Sequence, residues 1–367
     1  MVKTVIEPLR KTPENIEFVE TKGFGHPDTL CDNICEKAAQ AISKYYLKNF
    51  KRVLHFNIDK GIIIAGQTQP EFQAGKIIEP IKIIIAGRAT TQIGNIKLPI
   101  SEIIKEAVKK YLKPFELIYE LSIEIREGAT NLKEVEKHQI ANDTSFGVAH
   151  YPLTHLENLT LKISRHINSD RFRRKYKAVG LDTKVMGLRE GVKTSFTISI
   201  AFVAEYLKNL RYYKQLKQHI KDELEKEFNT KIYLNTLDGN SLNSCYITVT
   251  GFSCENGDDG QVGRGNRYNH LITPGQPMSL EATAGKNIFH PGKTYQIMAH
   301  IIARDLVKQC KLERVNVKIL SQIGSPLTKP QIVSIQVQGK LNLPKIEKVV
   351  NKNFVNIAKF QKDIIFS

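Results

Sequence analysis

Between Glu255 and Arg267 the chain reads ENGDDGQVGRGNR, with Asp258 beside Asp259, then Arg264 and Arg267, and four glycines spacing the charges. Glycine lets backbone N–H groups come close to an anion because no Cβ stands in the way. Guanidinium forks make paired hydrogen bonds to phosphate oxygens, whereas neighbouring carboxylates hold a metal ion, a ribose hydroxyl or a substrate ammonium. Downstream, SLEATAGKN and HPGKTY add Lys286 and Lys293 as point charges. These four cations with Asp258 and Asp259 fit a polyphosphate with its metal. The glycines lack the GxGxxG spacing of a dinucleotide fold, and there is no Walker A motif. A calcium loop is the plainer alternative, but EF-hand spacing is absent and such a loop would give the arginines no task.

Further segments carry similar chemistry. In KGFGHPDTLCDNICE, Lys22 to Glu36, the glycines and Pro27 mark a turn, and Asp28 is expected to cap the following helix by accepting a free backbone N–H. His26 then stands at a helix entrance, where backbone donors favour an anion. Asp28, Asp32 and Glu36 fall at i, i+4 and i+8 and share one helical face, a stripe able to hold Mg²⁺ near phosphates. A simple capped turn explains the same residues taken alone. HFNIDKG sets His55, Asn57 and Asp59 on one side of an alternating strand, and polar groups so placed among apolar neighbours need partners or a ligand. ANDTSFG, with Asp143, and DTKVMGLREG, with Lys184 and Arg189, are two more loops that combine an acid, hydroxyls and glycine.

Strand-like and helix-like segments recur in the order strand, helix, strand at a spacing of about a hundred residues. HFNIDKGIIIAG and PIKIIIAGRAT precede the amphipathic SEIIKEAVKKYLK and the strand-like FELIYELSIEI. KTSFTISIAFVAEYL precedes NLRYYKQLKQHIKDELEKEF and KIYLNTL, and CYITVTGFS precedes TYQIMAHIIARDLVKQC and RVNVKILSQI. The expected class is α+β, with mixed sheets covered by helices on one face. The bare sheet faces then need partners, within the chain or across a dimer. At 367 residues more than one domain is expected, since single cores seldom grow beyond ~250–300 residues.

Composition narrows the function classes. Charged residues at 25% and hydrophobic ones at 41% are globular usage, which argues against a disordered chain. Five cysteines, an odd number with no CxxC pair, read as reduced core thiols. The longest apolar runs are too short to span a bilayer and the opening residues lack a signal-peptide apolar stretch, so no membrane contact and a cytoplasmic location are expected. A net charge of +17 calls for an anionic partner: nucleic acid, an acidic surface or a phosphate-rich small molecule. The basic run DRFRRKY at 170–176, with two aromatics, could touch RNA, though a solvated surface loop explains it as well.

KGFGHPDTLCDNICE, HFNIDK, PIKIIIAGRAT, ANDTSFGVAHYPLTHLE, DTKVMGLREG, LNTLD, YITVTGFSCENGDDGQVGRGNRYNHLITP, PMSLEATAGKN and LSQIGSP, in this order, resemble the archaeal-type branch of the S-adenosylmethionine synthetase (methionine adenosyltransferase) family. The resemblance runs from about residue 20 to about 326. It implies a three-domain fold with approximate internal threefold symmetry, expected here as three intertwined α/β repeats near 1–135, 136–240 and 241–367, with segments exchanged between them. It implies a homodimer whose active sites lie at the subunit interface, and both Mg²⁺ and K⁺. The reaction implied is adenosyl transfer from ATP to the sulfur of L-methionine, with triphosphate cut to pyrophosphate and phosphate.

Carried over by motif, Arg264, Lys286 and Lys293 match phosphate-contacting positions, with Arg267 close by. His26 matches the histidine near the departing oxygen, Asp28 the metal-binding acid, and Asp59 an acid linked to the monovalent-cation region. Asp143, Lys184 and Asp258 match positions that hold substrate and phosphate, while Arg189 and Asp259 follow the motif as substrate-binding candidates. Gly128 is the nucleotide-loop glycine. The chain departs from the pattern at Phe56, Lys60, Phe72 to Gly75, Arg126 to Asn131 and Gln276, all in ligand-near loops. Second readings are therefore a divergent paralog with another acceptor or nucleotide, or a non-catalytic nucleotide- or nucleic-acid-binding protein. Nucleic acid is not the expected partner under the first reading.

Overall fold

A computed structural model describes residues 2–9, 15–129, 140–263, 269–279 and 281–366. Local chemistry sets the helix starts. His26 caps helix α1 (Pro27–Phe50) by accepting the Asp28 N–H on its ring nitrogen, and Pro27 fills the first position, where a missing N–H costs nothing. Thr154 and Glu157 form a reciprocal capping box on α3 (His155–Ile167). His290 repeats the His-Pro start at α6 (Pro291–Cys310).

Three sheets share one plan. In the first, β3 (Phe56–Ile64) runs antiparallel to β4 (Ile81–Ala89). Helix α2 (Ile100–Leu112) then leads to β5 (Tyr119–Glu127), which lies parallel to β4. In the second, β7 (Val179–Glu190) and β8 (Lys193–Val203) pair antiparallel. Helix α5 (Leu210–Phe228) leads to β9 (Lys231–Leu234), parallel to β8. The third has β11 (Arg314–Leu320) antiparallel to β12 (Ile332–Gln338), with β1 (Thr4–Pro8) parallel to β12. Each sheet is finished by one more antiparallel strand: β10 (Gly260–Gln261) on β3, β2 (Ile16–Lys22) on β7, and β6 (Phe146–Tyr151) on β11. Parallel, antiparallel, antiparallel is thus the order in all three, and α1, α3 and α6 precede the central pairs. This is the α+β fold with approximate internal threefold symmetry.

The sequence locates the third unit's first strand in CYITVTGFS, but only Ile247–Thr248 is strand there. Glu255 accounts for the difference. Its carboxylate accepts the backbone N–H groups of Val249 and Thr250, so donors that would extend a ladder turn into the loop instead. The third antiparallel pair lies further on, at β11 and β12.

Two apolar cores hold the units together. One joins Leu30, Ile34 and Ile42 of α1 to Ile58, Ile83 and Ile85 of the first sheet and to Ile302 and Val317 of the third unit. The other, around Val185, Phe196 and Ile198, is covered by α3 and α5. Each such side chain contributes roughly 1.5–3 kcal/mol by leaving water. The opposite sheet faces are open. Ile62 and Ile64 on β3 and Phe18 on β2 remain exposed, and Ile62 stands beside Ile84 across the ladder.

Candidate functional site

The first charged centre gathers around the start of α1. The His26 Nδ1 atom accepts the Asp28 N–H at 3.2 Å, so the ring proton of the neutral imidazole sits on Nε2. Burial, with the charges of Lys22 and Lys184, pulls its pKa down to about 4. Lys22 Nζ lies 2.8 Å from Asp28 and 3.4 Å from Glu20, and Lys184 Nζ lies 3.3 Å from Glu20. Lys22, His26, Asp28 and Lys184 line a cavity of about 830 Å³ together with Asp182, Asp258 and Asp259. Asp258 accepts from the Ser253 hydroxyl at 2.9 Å, and Asp259 accepts the Ala65 N–H at 2.8 Å.

Asp182, fully buried behind this cavity, accepts from the Ser253 N–H at 3.0 Å, the Ser253 hydroxyl and the Tyr246 hydroxyl at 3.2 Å. Burial outweighs these bonds and, with Asp258 nearby, pushes its carboxyl up to about 7. The two titrations act in opposite directions on folding. Between pH about 6.5 and about 4 the unfolded chain binds a proton that folded His26 refuses, so that contribution weakens as pH falls. Folded Asp182 holds its proton from about 4 to about 7 where the unfolded carboxyl has lost it. Its contribution is present at low pH and is lost as pH rises through 7. Asp182→Asn therefore gains melting temperature relative to the wild type as pH is raised from about 5 to about 8. A pH-independent difference between the two melting curves would contradict this.

The second centre lies further along α1. Lys286 Nζ is 2.6 Å from Asp59 and 3.5 Å from Glu281. Burial alone would raise the Asp59 carboxyl, but Lys286, with help from Lys60, overrides it and holds the pKa at about 2. His290 accepts the Gly292 N–H on Nδ1 at 3.0 Å, and its Nε2 donates to Asp143 at 3.1 Å. That hydrogen bond, with the charge of Lys286 nearby, lowers the Asp143 pKa. The possible ligand atoms of Asp143, Glu281 and His290 all lie within 4.8 Å of one another; the two carboxylates suit a divalent ion as they stand, and His290 joins them only if its ring proton leaves Nε2. Lys293 Nζ bridges both Glu36 oxygens at 2.7 and 2.6 Å.

The acidic stripe of α1 links the two centres. Asp28 accepts the Gln261 N–H at 3.0 Å, Asp32 the Gly263 N–H at 2.8 Å and Glu36 the Gly285 N–H at 3.2 Å. The carboxylates thus hold the glycine loops in place, and Gly263 and Gly285 adopt positive φ of 83° and 72° to reach them. From Asp28 to Glu36 the helix rises roughly 12 Å.

Of the residues singled out in sequence, His26, Asp28, Lys184, Asp258 and Asp259 meet at the first centre, and Asp59, Asp143, Lys286 and Lys293 at the second. Asn57 joins the second through its side-chain oxygen, which accepts the Asn287 N–H at 3.3 Å. Arg189 stands apart, donating to Glu17 at 3.0 Å and to the Gly191 carbonyl at 3.0 Å. At Gly128 an added Cβ would come within 2.5 Å of the His55 ring, so the loop approaches that ring closely. Arg264 and Arg267 lie outside the described residues, as do Thr130 and Asn131.

Lys22, Asp182, Glu281 and His290 were missed as individual residues, although all fall inside the quoted motifs. The signal for His290 was present: His-Pro opens two helices, at 26–27 and 290–291, and both histidines cap by Nδ1.

A sequence model described as S-adenosylmethionine synthetase (AdoMet synthetase) matches residues 2–367. The chain is 40% identical over 394 aligned residues to the S-adenosylmethionine synthase of Methanocaldococcus jannaschii, covering 99% of this chain and 97% of that protein. It is 41% identical over 383 to the S-adenosylmethionine synthase of Thermoplasma volcanium, with 96% and 95% covered. The corresponding protein of Pyrococcus furiosus is 40% identical over 391, with 98% and 97% covered.

Proposed function

The chain belongs to the S-adenosylmethionine synthetase family, and from that premise we propose how its residues carry out the reaction. The activity is methionine adenosyltransferase: L-methionine and ATP yield S-adenosylmethionine. The methionine sulfur supplies the electron pair that forms the S–C5′ bond. The C5′–O bond breaks with its electrons on the triphosphate, and water then divides triphosphate into pyrophosphate and phosphate. The readings as a paralog with another acceptor or as a non-catalytic binding protein are not favoured by these relatives.

The observation that carries the mechanism is the fixed tautomer of His26. A neutral imidazole with its proton on Nε2, between Lys22 and Lys184, donates to the leaving oxygen as charge builds there, without first having to lose or gain a proton. Lys286 and Lys293 take the phosphate chain, joined by Arg264 and Arg267. Their carboxylate partners, Asp59 and Glu36, keep them ordered until the triphosphate arrives. Lys184 orients the polyphosphate, and Asp258 with Asp182 behind it receives the methionine ammonium or a ribose hydroxyl. Asp259 shapes the nucleotide side, while Arg189 and Gly128, which lie away from both centres, keep a substrate-binding role on their motifs alone.

The family generally uses metal ions. We assign Mg²⁺ and K⁺ here, with Asp28 and Asp59 as the motif-derived acids and Asp143, Glu281 and His290 as the trio whose donors best fit a divalent ion. Bound there, the ion would supply neutralising charge for the phosphates. Chelation should lower turnover by at least about 10²-fold, since several kcal/mol of charge stabilisation goes with the ion; full activity after dialysis against EDTA would rule the requirement out.

A homodimer with shared active sites is supported by the open sheet faces carrying Ile62, Ile64 and Phe18. No helix among the described residues is long and apolar enough to cross a membrane; we place the enzyme in the cytoplasm. A crystal soaked with ATP, Mg²⁺ and methionine tests the assignment. Adenosyl-sulfonium density with His26 Nε2 at hydrogen-bond distance from the leaving oxygen is expected, whereas a nucleotide bound away from His26 would refute it.

A further inference from the structure

A second cavity, of about 760 Å³, lies where the turn at 113–116 meets β7 and β8, away from His26 and Lys286. It is within the size range of small-molecule sites. Its floor and wall are apolar, formed by Leu181, Val203, Val249 and Phe252. Arg173, half-buried, reaches it from the short helix α4 (Asp170–Lys175). The Nε atom of Arg173 is buried without a hydrogen-bond partner, and no ion pair to its guanidinium occurs among the described residues. A buried N–H with no partner is costly, and the cost is relieved by an anion that accepts from Nε together with a terminal guanidinium nitrogen.

The rim carries both signs: exposed Lys177 and Arg174, the latter 3.9 Å from the rim acid Asp170, and two further exposed acids, Glu116 and Glu205. A simple phosphate would satisfy Arg173 but would face those two carboxylates and leave the apolar wall uncovered. A ligand with a carboxylate at one end, a cationic group at the other and an apolar body matches all three features. The geometry points to a second, non-catalytic site for a zwitterionic α-amino acid with an apolar or thioether side chain, its carboxylate on Arg173 and its ammonium toward Glu116 and Glu205. Leu181 lines this cavity and its neighbour Asp182 lines the one that holds His26. One strand therefore carries both sites, which gives occupancy of one a route to the affinity of the other.

The expected count rests on the adenosyl-transfer reading, which supplies the first equivalent, whereas the Arg173 and Glu205 variants report on the second site alone. Equilibrium dialysis of the full chain with labelled L-methionine, and separately with S-adenosylmethionine, measures the equivalents bound. More than one equivalent per chain is expected for at least one of these two probes. Arg173→Leu should weaken the additional equivalent about 10- to 100-fold and leave turnover at saturating substrates unchanged. Glu205→Gln, an exposed rim change that leaves the fold alone, should weaken it about 3- to 10-fold, as fits a solvent-exposed charge. A single equivalent for both probes, or an additional one untouched by both variants, overturns the proposal. So does binding of inorganic phosphate with neither amino acid. Loss of turnover with the additional equivalent intact would count against the enzymatic reading alone.

Discussion

His26→Asn lowers turnover by about 10²–10³, the loss expected when a preorganised donor to a developing oxyanion is removed. Asparagine keeps most of the structural role, because its side-chain oxygen can accept the backbone N–H at the start of α1 as the imidazole does. Alanine removes the cap as well and costs about 1 kcal/mol of stability besides. The pair of variants therefore separates positioning of α1 from donation by Nε2. Because the His26 pKa lies near 4, the rate should show no inflection from this residue above pH about 5. Below that, protonation also breaks the Nδ1 hydrogen bond to Asp28. An inflection near pH 6.5 that disappears in His26→Asn would show that the ring titrates normally, and the fixed-tautomer account would fail.

Lys286→Met is expected to cost a similar factor in turnover by removing a fixed cation from the phosphate end, with a smaller change in the KM for ATP. Its structural effect is separate and also large. Asp59 loses its closest well-buried cation, at 2.6 Å, and keeps only the exposed Lys60. Breaking a buried pair from one side costs about 3–5 kcal/mol. The Asp59 carboxyl, held at about 2 by Lys286, should rise toward or above the ordinary carboxylate range, because burial now acts with less opposition. Asp59→Asn combined with Lys286→Met should recover much of the stability and none of the activity. If the double variant regains turnover, Lys286 acts only as the partner of Asp59.

Much of the first centre was legible in sequence because it lies close together along the chain. Gly25, His26, Pro27 and Asp28 encode a turn and a helix start within four positions, although the cap is His26 and not Asp28, and the stripe at 28, 32 and 36 follows from helical spacing alone. What the stripe holds was not legible. Its partners are backbone N–H groups of residues 261, 263 and 285, brought in by tertiary packing. The trio of Asp143, Glu281 and His290 comes from two distant stretches of the chain, and no local pattern records their meeting. The raised carboxyl of Asp182 depends on complete burial, which β7 acquires only when Ser253 and Tyr246 close over it. In the fold, the strand–helix–strand repeat of the first two units follows from periodicity. The pairing of β1 with β12 joins nearly opposite ends of the chain, a long-range contact that neither strand announces.

The central claim is that this arrangement moves the adenosyl group of ATP onto a methionine sulfur. It is tested most directly by incubating the purified chain with ATP, L-methionine, Mg²⁺ and K⁺ and resolving all products by mass spectrometry and phosphate analysis. S-adenosylmethionine, pyrophosphate and phosphate in equal amounts are expected, with no product lacking the sulfonium. ATP left intact, or consumed to ADP and phosphate without any sulfonium product, would contradict the account.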